Sequence, residues 1–151
     1  MARLFLDPGS TYGFIGGFSV TDVVGTNDNE TVLVEANGRA NFDPSFNRGG
    51  DEIQIDALAV AFSASLSGSA LTLTSITGAD LKIPVGTNGL TLTFTDGSFD
   101  LLYNGTNVVI GEQVMSHRPE PVDSVAAAVA SAPPIASAAD VVDTSAYITL
   151  G

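Results

Sequence analysis

The stretch Glu52-Ile53-Gln54-Ile55-Asp56 alternates strictly between polar and apolar side chains. Successive side chains of a β-strand point to opposite faces of the sheet, so Ile53 and Ile55 are expected to face a core. The same alternation recurs at residues 31–35, 70–74 and 90–94. Shorter apolar runs predict further strands at residues 3–6, 18–24, 81–83, 99–103 and 108–110. Residues 25–116 contain no pattern typical of a helix of useful length.

Turn-forming residues separate these segments. Asn-Gly pairs at residues 37–38, 88–89 and 104–105, together with Asp96-Gly97, are favoured where turn residues need positive φ angles. Strands therefore recur about every 8–12 residues, which predicts an all-β fold class. The architecture is either a β-sandwich or a β-solenoid-like roll with short terminal strand segments. Antiparallel meanders and parallel coils both produce this alternation, so both architectures remain open.

The chain divides by composition into three segments. Residues 1–16 are an N-terminal strand segment, residues 17–116 a β-rich core domain, and residues 117–151 a linker and C-terminal tail. Within the core, Gly-Thr-Asn occurs at residues 25–27, 86–88 and 105–107. The last two copies start 19 residues apart, which suits one turn of a two-stranded coil or one hairpin of a meander.

The charge balance argues against two classes of partner. Five basic residues stand against 17 acidic ones, giving a net charge of −12. Binding to nucleic acid requires Lys and Arg on the phosphates, so no nucleic acid is expected. Anionic membrane surfaces are disfavoured for the same reason, and no segment has the ~20 apolar residues needed for membrane insertion. Divalent cations would neutralise the excess acid; the alternative is that acidity only maintains solubility.

Two acidic, glycine-rich loops, residues 25–30 and 41–51, are the candidate calcium sites. Ca²⁺ takes 6–8 oxygen ligands including backbone carbonyls, and tight turns allow carbonyls to converge. Neither loop has the spacing of an EF-hand. Asx turns, which cap strands without an ion, use the same residue types and are the alternative. The candidate side chains are Asp28, Asn29, Glu30, Asp43, Asn47 and Asp51.

A family resemblance follows from these loops. Residues 49–55, Gly-Gly-Asp-Glu-Ile-Gln-Ile, resemble the repeats-in-toxin (RTX) nonapeptide, in which Gly-Gly-x-Gly-x-Asp precedes an apolar residue. Residues 27–32 resemble its Gly-Asn-Asp half followed by a strand. Across residues 18–115 the chain resembles the non-catalytic β-rich modules of calcium-binding, type I secreted bacterial proteins, including S-layer and adhesin-like proteins. It departs from them in lacking a tandem array of the nonapeptide.

The resemblance implies a secreted structural or assembly protein at the bacterial cell surface, stabilised by calcium. Its expected partner is itself, as a homo-oligomer or filament. The acidic tail is similar to a C-terminal type I secretion signal, which would account for the absence of an N-terminal signal peptide. The terminal strand segments would add to the exposed sheet edge of a neighbouring copy. The alternative is that both segments fold back onto their own domain.

Enzymatic and glycan-binding functions are the other hypotheses. The sole histidine, His117, lies in a Pro-flanked segment that suits a Ser-His-Asp triad poorly, and no Gly-x-Ser-x-Gly elbow is present. We therefore expect no catalytic residues, with a hydrolase as the remaining enzymatic alternative. A carbohydrate-binding module would present an exposed Tyr for stacking, and the candidates are Tyr12, Tyr103 and Tyr147. Tyr103 lies beside a turn, where it would either meet a glycan or cap the core.

Overall fold

A computed structural model describes residues 2–48 and 50–122, and their fold is all-β. Two sheets, A and B, have seven strands each; sheet A has the order β1-β3-β5-β9-β8-β7-β14 and sheet B the order β2-β4-β6-β10-β11-β12-β13. The only helices in this part of the chain are two short 3₁₀ helices, Pro44–Asn47 and Ala59–Ala61. The strands are β1 (Ala2–Phe5), β2 (Thr11–Ile15), β3 (Thr21–Val24), β4 (Thr31–Val34), β5 (Arg39–Phe42), β6 (Glu52–Ile55), β7 (Phe62–Ser67), β8 (Ala70–Ser75), β9 (Asp80–Pro84), β10 (Leu90–Phe94), β11 (Gly97–Tyr103), β12 (Val108–Ile110), β13 (Gln113–Val114) and β14 (Glu120–Pro121).

The first half of the fold is a stack of parallel coils. The chain passes from sheet A to sheet B and back, so β1, β3, β5 and β9 are parallel neighbours in sheet A. Likewise β2, β4, β6 and β10 are parallel neighbours in sheet B. Partners in successive sheet A strands, Ala2, Thr21 and Ala40, are 19 residues apart. Four coils result, and the β7–β8 hairpin is inserted between the third and the fourth.

The second half is an antiparallel sandwich that continues the same two sheets. Strands β8 and β7 extend sheet A from β9, and β11 and β12 extend sheet B from β10. Each sheet then ends on a two-residue strand, β14 in sheet A and β13 in sheet B. The two predicted architectures therefore describe the two halves of one all-β fold.

The core lies between the two sheets. Alternate residues of β4 and β6 face it, and Val32, Val34 and Ile53 are fully buried there. Phe94 contacts Phe62 of sheet A and Phe99 of sheet B, with ring centroids 5.6 and 5.7 Å apart. Apolar burial of this kind is the main source of stability for such a sandwich.

Several sequence predictions differ from the structure in detail. Strands are confirmed at all the alternating segments, but β2 and β7 were not predicted, and β5 occupies the start of the predicted loop 41–51. The first 16 residues supply β1 and β2, which pair directly with the strands of the predicted core domain. The predicted linker contains β14, and Val122 is buried. The sequence of residues 140–151 also predicts a final strand, and that segment lies outside the described residues.

Candidate functional site

Four turns that lead from sheet A into sheet B lie together on one side of the coils, and we call them the turn stack (residues 6–10, 25–30, 43–51 and 85–89). Parallel pairing places these turns one above another, because Thr11, Thr31, Glu52 and Thr91 are in register. The ladder extends one residue further into the turns. The Glu52 amide donates to the Glu30 carbonyl at 2.9 Å, and the Thr91 amide donates to the Asp51 carbonyl at 2.9 Å.

Glu30 is the first buried acid of the turn stack, with 1% of its surface exposed. Its carboxylate accepts hydrogen bonds from the Gly9 amide at 3.2 Å, the Thr26 amide at 2.9 Å and the Thr26 hydroxyl. Burial alone would raise the pKa of Glu30, but these three donors outweigh it and lower the pKa below its ordinary value. Glu30 is therefore a charged group already saturated by donors from the first two coils.

Asp51 is the second buried acid, and its carboxylate is only half satisfied. It is 1% exposed, and its Oδ1 accepts from the Glu30 amide at 2.8 Å. Its Oδ2 is buried and has no hydrogen-bond partner among the described residues. Burial, with smaller contributions from the charges of Glu30 and Asp43, raises the pKa of Asp51 to about 6. An oxygen in this position needs a proton or a cation.

Asp43 joins the second coil to the third. It caps the 3₁₀ helix Pro44–Asn47, accepting from the amide of Ser45 at 3.1 Å and from the Ser45 hydroxyl. The Ser45 hydroxyl oxygen in turn accepts from the Gly25 amide at 2.9 Å. Asp43 is half-buried, and it lies near enough to Asp51 for its charge to help raise the pKa of that group.

Of the six predicted ligands, Glu30 and Asp43 lie near enough to Asp51 for their charges to raise its pKa. Asp28 and Asn29 are exposed on the same turn. The sixth candidate, Asn47, ends the short helix. Within residues 2–48 and 50–122 no three His, Asp or Glu side chains are grouped so that they alone hold a metal. A calcium ion here would therefore need backbone carbonyls and water as well as Asp43 and Asp51, and the site stays a prediction.

Hydrogen bonds from uncharged side chains and one arginine also tie the turns together. Arg48 donates to the side chain of Asn27, and the Asn88 side-chain amide donates to the Arg48 carbonyl at 3.2 Å. Sequence reasoning did not identify these residues, nor Thr26 and Ser45 as partners of the acids. The run Asp43-Pro44-Ser45 is the one available signal, because an acidic cap followed by Pro marks a helix start.

Gly25 shows how tightly the turn stack is packed. A Cβ on Gly25 would lie 2.8 Å from the Ser45 hydroxyl oxygen and 2.9 Å from Glu30 Oε1. We expect Gly25→Ala to lower the free energy of unfolding by roughly 1–3 kcal/mol, because the added methyl group would displace the Ser45 hydroxyl and the Glu30 carboxylate from their hydrogen-bond partners. Gly16→Ala is the control, since its Cβ would meet only the end of exposed Glu35, at 3.2 Å. Urea unfolding of both variants measures the difference; equal stabilities would contradict this packing.

A cleft lies where the fourth turn of the turn stack meets the antiparallel hairpins, and we call it the Tyr103 cleft. Its volume is about 460 Å³, and turns from both sheets form its walls. Tyr103, His117 and Met115 line it, together with the turns around Ser69 and Thr87. Tyr103 thus lies at a concave surface and does not cap the core.

Taken together, the fold and turn stack define a class of all-β protein, four parallel coils that continue into an antiparallel sandwich. Comparison with known proteins found no matching protein-family model, no matching curated protein and no matching solved structure. None of the helices among the described residues has the length and apolar character needed to cross a bilayer.

Proposed function

We propose that this protein is a structural module of the bacterial cell surface that associates with copies of itself and is stabilised by calcium. The observation that carries the proposal is the open end of the coils, formed by the free edges of β1 and β2. Among the described residues, β1 pairs only with β3 and β2 only with β4. Each therefore presents one row of unpaired backbone groups, which is a template for pairing with another chain.

The first coil, which bears the open end, is also rich in exposed aromatic side chains, of which Phe14 lines a hollow on sheet B with Leu33 and Gln54. Of the eight phenylalanines, the three that are exposed are all in the first coil and the turn after it: Phe5 is 67% exposed, Phe14 56% and Phe18 fully. The other five are buried in the core. Exposed aromatic side chains beside a free strand edge are typical of an interface, because burying them on association is strongly favourable.

The opposite end of the fold is protected against such pairing. Both sheets end there on two-residue strands, and β14 contains Pro121, which has no amide hydrogen to donate. Glu112, Arg118 and Glu120 place charges around it. Short strands, proline and charge are the features that prevent edge-to-edge association. The contrast supports the open end as a functional surface.

Charge favours a second copy of the same chain as the occupant. Residues 1–20 carry one basic and one acidic residue, Arg3 and Asp7, so the open end has no net charge. The rest of the chain, with four basic and 16 acidic residues, carries the whole charge of −12. Two copies would repel each other through most surfaces, but not through this one. Pairing of two open ends buries both sets of free edges and gives an isologous dimer as the building block.

Sedimentation velocity over a range of protein concentrations tests this association. We expect a concentration-dependent dimer, in both calcium and chelator, because the proposed calcium ligands Asp43 and Asp51 belong to the third coil and the open end to the first. A protein that stays monomeric at millimolar concentration under both conditions would contradict the assembly function.

Calcium is proposed as a ligand of the turn stack between Asp43 and Asp51. The support is the Oδ2 of Asp51, which has no partner among the described residues, together with the nearby charge of Asp43 in a chain with an acidic excess. Glu30 contributes charge rather than a ligand oxygen, because its oxygens are occupied by Gly9 and Thr26. The extracellular location proposed here suits a site of this kind, since extracellular calcium modules bind at ~10⁻⁴–10⁻³ M.

We expect calcium to raise the thermal midpoint of unfolding. An ion that binds only the native state at a hundred times its Kd contributes about 2.7 kcal/mol, or roughly 10 °C for a domain of this size. Thermal melts across a calcium titration measure the shift, with magnesium as the comparison ion. Asp51→Asn should lose most of the response and Asp28→Asn should keep it. A thermal midpoint that does not change at calcium concentrations up to about 10 mM would contradict the proposed site.

A further inference from the structure

We propose that the Tyr103 cleft binds a neutral saccharide. The cleft lies between the fourth turn of the turn stack and the antiparallel hairpins, and none of the residues that line it belongs to the open end or to the proposed calcium ligands. It therefore does not depend on the assembly function. Its volume of about 460 Å³ falls within the range of roughly 300–1,000 Å³ typical of small-ligand sites.

The walls of the Tyr103 cleft are held in place by backbone hydrogen bonds. The Tyr103 amide donates to the Gly86 carbonyl at 3.0 Å, which joins the end of β11 to the turn before β10. The Val85 amide donates to the Ser69 carbonyl at 3.0 Å, which joins that turn to the β7–β8 hairpin. A cleft fixed in this way does not have to be ordered when a ligand binds.

Tyr103 provides an aromatic surface in a fixed orientation. Its side chain is 40% exposed and lines the cleft, and its hydroxyl donates to the Gly105 carbonyl at 3.0 Å. Because the hydroxyl is engaged by its own turn, the ring cannot swing away without losing that bond. The buried Met115 and the side chain of Val85 complete an apolar lining. The C–H face of a pyranose ring is the natural partner of such a lining.

Polar groups without partners surround this apolar surface. The side chains of Ser69, Thr87, Thr106 and Asn107 line the cleft and make no hydrogen bond within the described residues. The imidazole Nδ1 of His117 bonds the Leu66 carbonyl at 3.2 Å, and because a carbonyl only accepts, Nδ1 is the donor. In the imidazole tautomer that has its proton on Nδ1, Nε2 is an acceptor. Hydroxyls, an amide and an imidazole acceptor match the donors and acceptors of a sugar.

The charge of the lining indicates a neutral ligand. In a chain of net charge −12, no Asp, Glu, Lys or Arg lines the Tyr103 cleft. A cation would find no carboxylate there, and an anion would find no basic residue other than His117. A neutral sugar needs neither. The cleft thus differs in chemistry from the second and third turns of the turn stack, which hold the buried acids Glu30 and Asp51.

Chemical-shift mapping of amide signals tests the proposal. The probes are glucose, galactose, mannose, N-acetylglucosamine and their β-1,4-linked disaccharides, with glucuronate as the anionic comparison. We expect one neutral sugar class to shift the signals of Thr87, Tyr103, Asn107 and His117 selectively. No shift with any neutral sugar at tens of millimolar, or stronger shifts with glucuronate, would overturn the proposal.

Tyr103→Ala should weaken binding about fivefold, which corresponds to about 1 kcal/mol for stacking on an aromatic ring. Tyr12→Ala is the matched control, because Tyr12 is 43% exposed but lies at the open end on β2. Unchanged sugar affinity in Tyr103→Ala would overturn the proposal, as would an equal loss in Tyr12→Ala. Failure of this test leaves the sedimentation result unaffected, so the two proposals are judged separately.

Discussion

Replacing Phe5 and Phe14 together by lysine is expected to convert the dimer into a monomer. Both side chains are more than half exposed on the first coil, so the change should leave the core and the fold intact. At the interface it removes aromatic anchors from each copy and places four ammonium groups against one another. We expect the dissociation constant to rise at least a hundredfold, which corresponds to about 2.7 kcal/mol. Sedimentation velocity measures this directly.

The matched control for this variant is Val60→Lys with Ile76→Lys. Both residues are exposed and apolar, and they lie outside the open end, so the control makes the same change in net charge. It should associate as the wild type does. Equal loss of association in both variants would show that charge, not the open end, controls it. A further variant, truncated after residue 122, should also associate. If only this variant stays monomeric, residues 123–151 and not a second open end are what bind the open end.

Asp51→Asn is expected to stabilise the protein at pH 8 in the presence of chelator. The pKa of Asp51 is raised from 3.8 to about 6, so between these values the folded state binds more protons than the unfolded state. Stability contributed by this group is therefore fully present below pH 3.8 and is lost as the pH rises to 6. The loss is at most about 3 kcal/mol. Asparagine keeps the acceptor for the Glu30 amide without the charge.

The difference in free energy of unfolding between Asp51→Asn and wild type should depend on pH if the buried charge of Asp51 causes it. Urea unfolding should give Asp51→Asn a higher free energy of unfolding than wild type at pH 8 and a similar value at pH 4. The lowered pKa of Glu30 has the opposite effect, because the stability that it contributes is lost as the pH falls. Glu30 is present in both proteins, so its contribution cancels from their difference in stability. Asp28→Asn, exposed on the same stack, should stay within about 0.5 kcal/mol of wild type. A variant that is less stable than wild type by the same amount at both pH values would contradict a destabilising buried charge.

The alternation of polar and apolar residues predicted where the strands are, but it did not predict which strands pair or in which direction. The pattern at Glu52–Ile55 is the same whether its neighbours run parallel or antiparallel, and in the structure β6 lies between two parallel strands, β4 and β10. The Gly-Thr-Asn copies illustrate this ambiguity. Those at 25–27 and 86–88 occupy equivalent turns of the second and fourth coils, but the one at 105–107 lies in the β11–β12 hairpin. The local sequence of a turn does not specify which strand follows it in space.

The strands that sequence reasoning missed have different causes. Gly13 and the two glycines that follow β2 suggested turns, although parallel pairing with β4 holds β2 extended. The Phe-Ser-Ala-Ser-Leu-Ser run of β7 alternates clearly, so that signal was available. In the candidate site, acidic loops indicated Glu30, Asp43 and Asp51. Their hydrogen-bond partners depend on how the coils stack, which lies outside any local pattern.

Amide hydrogen exchange of β1 and β2, measured at low and at high protein concentration, tests the central claim most directly. If the open end is where copies meet, the outward-facing amides of these two strands should exchange several-fold more slowly at high concentration, and those of β13 and β14 should not change. Equal exchange rates in β1 and β2 at both concentrations, in a sample that sedimentation shows to be associated, would contradict the claim.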